Sequence, residues 1–265
     1  MKKYKALISD FDMTLVGYDL RVTPEIKEAI KSLVDRGYIF TIATARHFHS
    51  VIRESIRELG IGGLHIMRGG AEIIDAETEK IIWSKYISQF TSEKLLDFLT
   101  NNNILFTAEK DEYIYTKSGE HFSPYCRFSR FKKMETLKPD KISVFRVFLY
   151  DPTEKDLMIE DVLLSRFDNI SIIRSKSTLK EIVIDITAKQ ATKLHALNYL
   201  FTVLGIKKQD AIGVGDGYND YPLLSGCGLK IAMGNANTDL KKIADYIAPN
   251  QDNQGLVTII RRYFS

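Results

Sequence analysis

Two carboxylates close the first apolar run of the chain, at a place that suits chemistry better than packing. Asp10 and Asp12 flank Phe11, one residue after the run Tyr4-Lys5-Ala6-Leu7-Ile8, and Thr14 comes two residues later. A run of this length predicts a buried strand, so the acids fall where the core meets solvent. A carboxylate placed there can attack phosphorus, transfer a proton or bind a cation. Acidic pairs also cap many turns, and the rest of the chain has to decide between these alternatives.

A second acidic segment ends a later apolar run. The run Ala211-Ile212-Gly213-Val214 continues into Gly215-Asp216-Gly217-Tyr218-Asn219-Asp220. The glycines on either side of Asp216 allow the backbone to approach a ligand or ion closely. Carboxylates that converge repel each other unless a cation lies among them, and all-oxygen ligands with open water positions suit Mg²⁺. An ordinary turn rich in Asp, Asn and Gly is the alternative interpretation.

Strand and helix patterns alternate around these two segments. A helix start is predicted at Thr23-Pro24, and the next apolar strand, residues 38–43, runs directly into Thr44. This alternation predicts parallel βαβ units, whose polar groups gather at the carboxyl ends of the strands. We therefore expect Asp10, Asp12 and Thr44 to face one crevice.

The pattern changes in the middle of the chain. A hairpin is expected over residues 71–83, and a separate set of strands and helices follows it. These elements are expected at residues 92–100, 104–108, 113–117, 142–150, 153–167, 170–174 and 181–186. The pattern of the first part returns after Lys189, with a helix that ends at Gly205.

The order of these patterns predicts the fold. We expect an α/β protein with a Rossmann-like, doubly wound parallel sheet as its core, into which an α+β cap domain is inserted. The core is predicted from residues 1–83 and 187–265, and the cap from residues 84–186.

Composition excludes several classes of protein. The 265 residues are 45% hydrophobic and 27% charged, with a net charge of +3 that is scattered along the chain, so neither disorder nor a nucleic-acid partner is indicated. Cys126 and Cys227 are too far apart to suggest a zinc site or a disulfide framework. We expect neither a signal peptide nor a membrane span, and predict a soluble, cytoplasmic protein. The sequence leaves the oligomeric state open.

Four motifs, taken together, resemble those of the haloacid dehalogenase (HAD) superfamily of phosphohydrolases, and the insertion resembles the Cof-type branch with its large α+β (C2B-like) cap. The motifs are Asp10-x-Asp12-x-Thr14, Thr44, Lys193 and Gly215-Asp216-Gly217-Tyr218-Asn219-Asp220. The resemblance covers nearly the whole chain and extends to the tail Ala232-Met233-Gly234-Asn235-Ala236. It implies a Mg²⁺-dependent phosphatase that acts through an aspartyl-phosphate.

The resemblance also implies a role for each motif residue. Asp10 would be the nucleophile, and Asp12 the acid that protonates the leaving group and the base that activates water. The metal ligands would be the side chains of Asp10 and Asp216 with the backbone carbonyl of Asp12. The remaining roles would be phosphate binding for Thr44, Lys193 and Asn219, and support for Thr14 and Asp220.

Some positions depart from the family pattern or have a plainer interpretation. Met13, Ala45 and Gly69 stand where the family often has Gly, Gly and Asn. Lys193 could instead lie on a solvated helix face, Thr44 could be a plain strand-end hydroxyl, and Arg46 is expected to be structural or peripheral. None of the histidines, His47, His49, His65, His121 and His195, shows ligand spacing, so each is expected to be a surface or core residue.

One aromatic and basic cluster lies inside the predicted cap. Phe122, Tyr125, Phe128 and Phe131 recur near helical spacing and are interpreted chiefly as cap packing. With Arg127 and Arg130, part of this stripe is a candidate for lining the substrate side.

The predicted function is hydrolysis of small phosphorylated metabolites, with sugar phosphates first and FMN or pyridoxal phosphate next. Two alternatives remain open. One is a phosphotransferase, such as a sugar-phosphate mutase, that uses the same aspartyl-phosphate. The other is a metabolite-binding regulator with weak turnover.

Overall fold

The structure is a computed structural model that describes residues 4–117, 129–177 and 180–264. Its strands are β1 (Ala6–Ser9), β2 (Ile39–Ile42), β3 (Leu64–Met67), β4 (Glu72–Asp75), β5 (Lys80–Ser84), β6 (Leu105–Lys110), β7 (Tyr113–Thr116), β8 (Arg130–Lys133), β9 (Val144–Tyr150), β10 (Ile170–Ser177), β11 (Glu181–Ala188), β12 (Ala211–Gly215), β13 (Leu229–Ala232) and β14 (Tyr246–Ile247). Its α-helices are α1 (Pro24–Asp35), α2 (Val51–Leu59), α3 (Gln89–Asn101), α4 (Glu154–Leu157), α5 (Ile159–Arg166), α6 (Lys193–Leu204), α7 (Tyr221–Ser225), α8 (Thr238–Ile243) and α9 (Gly255–Tyr263).

A parallel sheet forms the core, in the order β14-β13-β12-β1-β2. Its central strands are fully buried because helices cover both faces: Leu7 of β1 packs with α1, α2 and α9, while its neighbours Ala6 and Ile8 pack with α6 and α7. This alternation follows from the two-residue period of a strand. The predicted doubly wound α/β core is therefore confirmed.

Local signals place the helices of this core. Thr23 caps α1 by accepting from the amide of Ile26, with Pro24 at the first helical position. Gly60 ends α2 and Gly205 ends α6, both in the left-handed conformation that glycine adopts without strain. Helix α6 begins at Lys193 rather than near Lys189, because Thr192 is its N-cap.

The third strand differs from the simple βαβ expectation. β3 pairs antiparallel with β4 and β4 with β5, so the predicted hairpin extends a small three-stranded sheet. β3 is tied to the end of β2 through a single parallel bridge between Ala43 and Ile66. This bridge connects the small sheet to the edge of the core near Thr44.

A six-stranded sheet follows in the order β10-β11-β9-β6-β7-β8. All its strands come from residues between Leu105 and Ala188, and α3 and α5 pack on one of its faces. The helix expected over residues 153–167 is wrong as one element, because the chain breaks at Met158 into α4 and α5. The sequence also missed β8, a wholly exposed strand paired in parallel with β7.

The aromatic stripe does not lie on one described helix. Phe122, Tyr125, Arg127 and Phe128 lie outside the described residues. Phe131 lies on β8 and is exposed, so the expectation of a helical, packed position is wrong for this residue. Within the described ranges, no helix is both long and apolar enough to cross a bilayer.

Candidate active site

The neighbouring strands β12, β1 and β2 bring three of the predicted groups to one edge of the core sheet. Asp10 follows β1 directly, Asp216 follows β12, and Thr44 lies two residues beyond β2. The amide of Asp10 still donates to the carbonyl of Val214, so the acid leaves the sheet at a fixed place. The expectation of a shared crevice at the carboxyl ends of these strands agrees with this geometry.

Lys193 joins two acids from different parts of the chain. Its Nζ lies 2.6 Å from Oδ1 of Asp10 and 2.6 Å from Oδ1 of Asp220. The lysine and Asp220 are fully buried and Asp10 is nearly so. The alternative of a lysine on a solvated helix face is therefore wrong.

Glycine determines where Lys193 stands. A Cβ on Gly70 would lie 2.1 Å from the carbonyl carbon of Thr192, so only glycine lets the loop after β3 pack against the start of α6. Gly70 also has φ +105°, a conformation that other residues rarely adopt. At Gly69, with φ +67°, no heavy atom would lie within 4 Å of a Cβ, so the family's usual Asn would fit there.

Asp220 organises the second acidic segment. Its Oδ2 accepts from the amides of Asp216 (3.0 Å) and Gly217 (2.9 Å), while Oδ1 is bound by Lys193. A Cβ on Gly215 would lie 2.5 Å from the Asp220 side chain, which explains the glycine before Asp216. With both oxygens engaged, Asp220 acts as a support for the loop and the lysine.

Asp10, Asp216 and Asp220 form an acidic cluster in which one carboxylate oxygen of each lies within 4.8 Å of the others. Burial, reinforced by the neighbouring carboxylates, raises the pKa of Asp10 to about 8 and that of Asp216 to about 9. Burial acts to lower the pKa of Lys193, but Asp10 and Asp220 outweigh it and raise that pKa. One lysine thus compensates the cluster incompletely, and this set of oxygen donors fits a divalent cation.

Asp12 is paired with Arg46. The guanidinium contacts both carboxylate oxygens, with Nη2 2.7 Å from Oδ1 and Nε 2.9 Å from Oδ2. Arg46 is buried and Asp12 is half-buried, so the pair is held in a defined orientation. Arg46 was expected to be structural or peripheral; its burial contradicts a peripheral position, and its pair with Asp12 agrees with a structural one.

Thr44 holds the turn that carries this arginine. Its Oγ1 accepts from the amide of Arg46 at 3.1 Å, and its carbonyl accepts from Gly69 at 2.9 Å. Thr44 is buried and its side-chain bond to the amide of Arg46 is a local one, so its interpretation as a plain strand-end hydroxyl stays open.

Met13 adopts a backbone conformation that explains the family's glycine at this position. Its φ is +55°, in the left-handed region, and its side chain lines the cavity above the acids. Its carbonyl accepts from Nδ2 of Asn235 at 2.9 Å. The chain therefore tolerates methionine at position 13 with a strained backbone.

Thr14 is buried, and its Oγ1 lies 3.5 Å from Oδ1 of Asp216.

Asparagines complete the surroundings of Asp216. Nδ2 of Asn235 lies 3.4 Å from Oδ2 of Asp216, and Asn237 donates to the carbonyl of Asp216 from its amide at 3.1 Å. Asn219 is half-buried and lines the cavity. The sequence did not single out Asn235 or Asn237 as site residues, although the first belongs to the tail segment that carries the resemblance.

A cavity of about 120 Å³ lies between the acidic cluster and the six-stranded sheet. Residues of that sheet alternate: Phe145, Val147 and Leu149 of β9 pack under the helices, whereas Arg146 and Phe148 face the cavity. The cavity face of the sheet contributes Glu109, Ile114, Arg146, Phe148, Glu181 and Val183. The sequence analysis did not single out any of these residues. Arg146, an arginine within the otherwise apolar run 144–149, is the feature of the sequence that indicates a polar face on this strand.

Arg146 ties this sheet to the loop that carries Arg46. Its Nε lies 2.6 Å from Oδ1 of Asp185, Nη1 lies 3.1 Å from Oε1 of Glu109, and Nη2 lies 3.3 Å from the carbonyl of Ala45. Arg68 makes a second tie, because it bonds Glu72 at 2.6 Å and Ser143 at 2.8 Å. Buried polar pairs of this kind fix the sheet over the acids.

Arg130 does not line the cavity. It lies on β8 and pairs with Glu112 at 2.6 Å on the surface. His47, by contrast, lines the cavity wall, where the sequence predicts only a surface or core position.

Comparison with known proteins agrees with this arrangement. The chain is 26% identical to a Haemophilus influenzae protein provisionally named a phosphatase, over 98% of both chains, and 24% identical to the 5-amino-6-(5-phospho-D-ribitylamino)uracil phosphatase YwtE of Bacillus subtilis, again over 98% of both. A haloacid dehalogenase-like hydrolase from B. subtilis has the same fold, with a TM-score of 0.85 at 22% identity over 97% of this chain and 99% of that one. A sugar phosphatase of HAD subclass IIB also shares the fold, with a TM-score of 0.84 at 23% identity over 98% and 99%.

Fold and site together define a hydrolase that acts on phosphate esters. The family model for haloacid dehalogenase-like hydrolases matches residues 7–260, and the chain belongs to this family. The predicted superfamily and enzyme class are thus confirmed.

Proposed function

We propose that the chain is a Mg²⁺-dependent phosphomonoesterase that hydrolyses small phosphorylated metabolites through an aspartyl-phosphate. The observation that carries the proposal is the buried Asp10, fixed by Lys193 at the carboxyl end of β1 and facing Asp216. A carboxylate held beside a cationic group and further oxygen donors suits attack on a phosphoryl group, whose oxygens carry the developing charge.

The first step forms the covalent intermediate. An oxygen of Asp10 bonds to phosphorus, the ester bond breaks, and the leaving oxygen takes a proton from Asp12. In the second step water attacks phosphorus, gives its proton to Asp12, and releases inorganic phosphate with the Asp10 carboxylate restored. Arg46 engages both carboxylate oxygens of Asp12, so one of these contacts has to open for Asp12 to carry the proton in either transfer.

The other residues bind charge and hold the site. We assign phosphate binding to Lys193, Thr44 and Asn219, and support to Thr14 and Asp220. Mg²⁺, when bound by Asp10, Asp216 and the backbone carbonyl of Asp12, would neutralise charge on the phosphoryl oxygens. The incompletely compensated acidic cluster supports this assignment.

The six-stranded sheet acts as a cap over the substrate. We propose the boundaries 84–186 for this cap and 1–83 with 187–265 for the core; β6 to β10 fall within the proposed cap, whereas β11 runs two residues past its end, to Ala188. Closure of the cap would exclude water and select the leaving group. Sugar phosphates are the first substrate class we propose and FMN or pyridoxal phosphate the next; the fold shared with a sugar phosphatase supports this order.

Hydrolysis of an aryl phosphate with Mg²⁺, measured as release of inorganic phosphate, tests the proposal. EDTA should abolish activity, and Asp10→Asn should lower kcat at least 10³-fold while circular dichroism stays unchanged. Asp35→Asn, at an exposed position where Asp35 pairs with Lys31, is the matched control and should keep full activity. Full activity in Asp10→Asn would sink the mechanism.

The same assay separates the two alternatives. A sugar-phosphate mutase would need a sugar acceptor and release little inorganic phosphate without one. A metabolite-binding regulator would show no saturable, EDTA-sensitive turnover.

A further inference from the structure

The side-chain amide of Asn235 connects three segments of the chain. Its Nδ2 donates to the carbonyl of Met13 at 2.9 Å and lies 3.4 Å from Oδ2 of Asp216. Its Oδ1 accepts from the backbone amide of Gln251 at 2.9 Å. Because a backbone amide can only donate, this bond fixes the oxygen end of the Asn235 side chain, and Nδ2 has to face Met13 and Asp216. One amide group therefore joins the loop after β1 to the loop after β12.

The carboxylate of Asp216 has an uncharged donor beside each of its oxygens. Nδ2 of Asn235 lies beside Oδ2, and the hydroxyl of Thr14 lies 3.5 Å from Oδ1. Donors of this kind orient a carboxylate without neutralising it, so its negative charge stays available to a cation. Asp10 differs, because its Oδ1 already pairs with the ammonium group of Lys193.

The bond to Met13 acts on the backbone beside Asp12. Met13 has φ +55°, a conformation that residues other than glycine rarely adopt. A hydrogen bond to the carbonyl of Met13 stabilises this conformation, and with it the orientation of the peptide group between Asp12 and Met13. The carbonyl of that peptide group belongs to Asp12 and is the third metal ligand in the proposed function. Asn235 thus contacts the surroundings of two of the three proposed ligands.

The turn that carries Asn235 is already fixed by backbone bonds. The amide of Met233 donates to the carbonyl of Gly215 at 3.0 Å, and the amide of Asn237 donates to the carbonyl of Asp216 at 3.1 Å. These bonds hold the turn against the end of β12 without the side chain of Asn235. The contacts of Nδ2 are therefore best explained by what they do to the proposed ligands.

We propose that Asn235 is a positioning residue that sets the affinity of the acidic cluster for Mg²⁺, by orienting the carboxylate of Asp216 and the carbonyl of Asp12. This inference rests on the proposed phosphatase function and deepens it. Residues that orient metal ligands from outside the coordination sphere typically contribute about 10–100-fold to metal affinity. Asn235 acts through its neighbours, whereas Asp10 and Asp12 perform the chemistry.

The dependence of Tm on Mg²⁺ concentration, measured without substrate, tests this role. An ion that binds the folded chain raises Tm, and the concentration dependence gives its Kd. Asp216→Asn should remove the rise, which locates the ion at the acidic cluster. Asn235→Leu has nearly the same shape without polar atoms and should raise the Kd for Mg²⁺ about 10–100-fold. In the aryl phosphate assay this variant should need correspondingly more Mg²⁺, and a high Mg²⁺ concentration should restore most of kcat.

A neighbouring asparagine supplies the matched control. Nδ2 of Asn237 lies 3.4 Å from the backbone carbonyl of Asp216, and its Oδ1 caps α8 by accepting from the amide of Leu240. Asn237→Ser keeps a good N-cap residue and leaves the carboxylate of Asp216 untouched, so the Kd for Mg²⁺ should stay unchanged. Asn235→Ser also removes Nδ2 and should weaken Mg²⁺ binding as the leucine variant does; it decides the question if Asn235→Leu does not fold.

The readouts separate the possible failures. An unchanged Kd in the Asn235 variants would overturn the positioning role alone, and a loss of kcat that Mg²⁺ does not restore would show a structural role instead. Failure of both Asn235 variants to fold would likewise show a structural role and overturn the inference. If the unmodified chain shows neither a rise of Tm with Mg²⁺ nor Mg²⁺-dependent turnover, or if Asp216→Asn keeps the rise, the metal assignment in the proposed function fails and this inference with it.

Discussion

Replacement of Lys193 by methionine should destabilise the protein strongly. The ammonium group is fully buried and lies 2.6 Å from both Asp10 and Asp220. Methionine has a similar shape but no charge, so two buried carboxylates would lose their shared partner. Removing one partner of a buried ion pair typically costs about 3–5 kcal/mol, because the remaining charge stays desolvated.

A surface pair of similar length supplies the matched control. Lys31 lies 2.5 Å from Asp35 on α1, but both side chains are more than half exposed. Such exposed pairs contribute about 0.3–0.5 kcal/mol. Lys31→Met should therefore leave the unfolding free energy nearly unchanged, although the distance between the charges is as short.

Urea unfolding followed by circular dichroism in EDTA measures both variants. We expect Lys193→Met to lower the unfolding free energy by about 3–5 kcal/mol, which corresponds to a fall in Tm of roughly 6–20 °C for a chain of this size. Asp220→Asn, which leaves the contact between Lys193 and Asp10, should cost less than Lys193→Met. Equal small effects of Lys193→Met and Lys31→Met would refute the reasoning that burial makes the difference.

Three further predictions concern single positions. Gly70→Ala should lower both Tm and kcat, since its Cβ would meet Thr192 at 2.1 Å and displace Lys193. Gly69→Asn, one residue earlier, should be tolerated, and equal tolerance of both variants would contradict the packing argument. Met13→Gly should raise the unfolding free energy by up to about 1 kcal/mol, because glycine adopts the left-handed conformation of Met13 without strain. Part of this gain is lost to the greater entropy of glycine in the unfolded chain. A lower unfolding free energy in urea would count against strain at this position. Burial lowers the pKa of His65 to about 4, so the unfolded chain binds a proton on this ring more readily than the folded chain does. The unfolding free energy that depends on the neutral ring is therefore fully present above pH 6.5, and it is lost as the pH falls toward 4. This loss amounts to about 3 kcal/mol and should be missing in thermal melts of His65→Phe at different pH values. If Tm falls with pH in that variant as steeply as in the unmodified chain, the acid sensitivity comes from other groups.

The sequence predicts the core because its signals are local. Thr23 and Pro24 begin α1, and Gly60 and Gly205 end helices, through contacts within a few residues. Apolar runs between these helices leave few alternatives to parallel strands. The same local logic fails for α4 and α5, where a break at Met158 has no strong signal, and for the exposed strand β8.

By itself, the sequence determined the fold class, the family and the residues that meet at the carboxyl ends of β1, β2 and β12, because strand order and short motifs carry that information. Only the tertiary structure decided that Lys193 is buried between acids, since it meets Asp10 across 183 positions of the chain. It also decided that Arg46 binds Asp12 and that Arg146 reaches the carbonyl of Ala45, which are 34 and 101 positions apart. Burial and charge compensation depend on what packs nearby, and no local pattern records which distant side chain that will be.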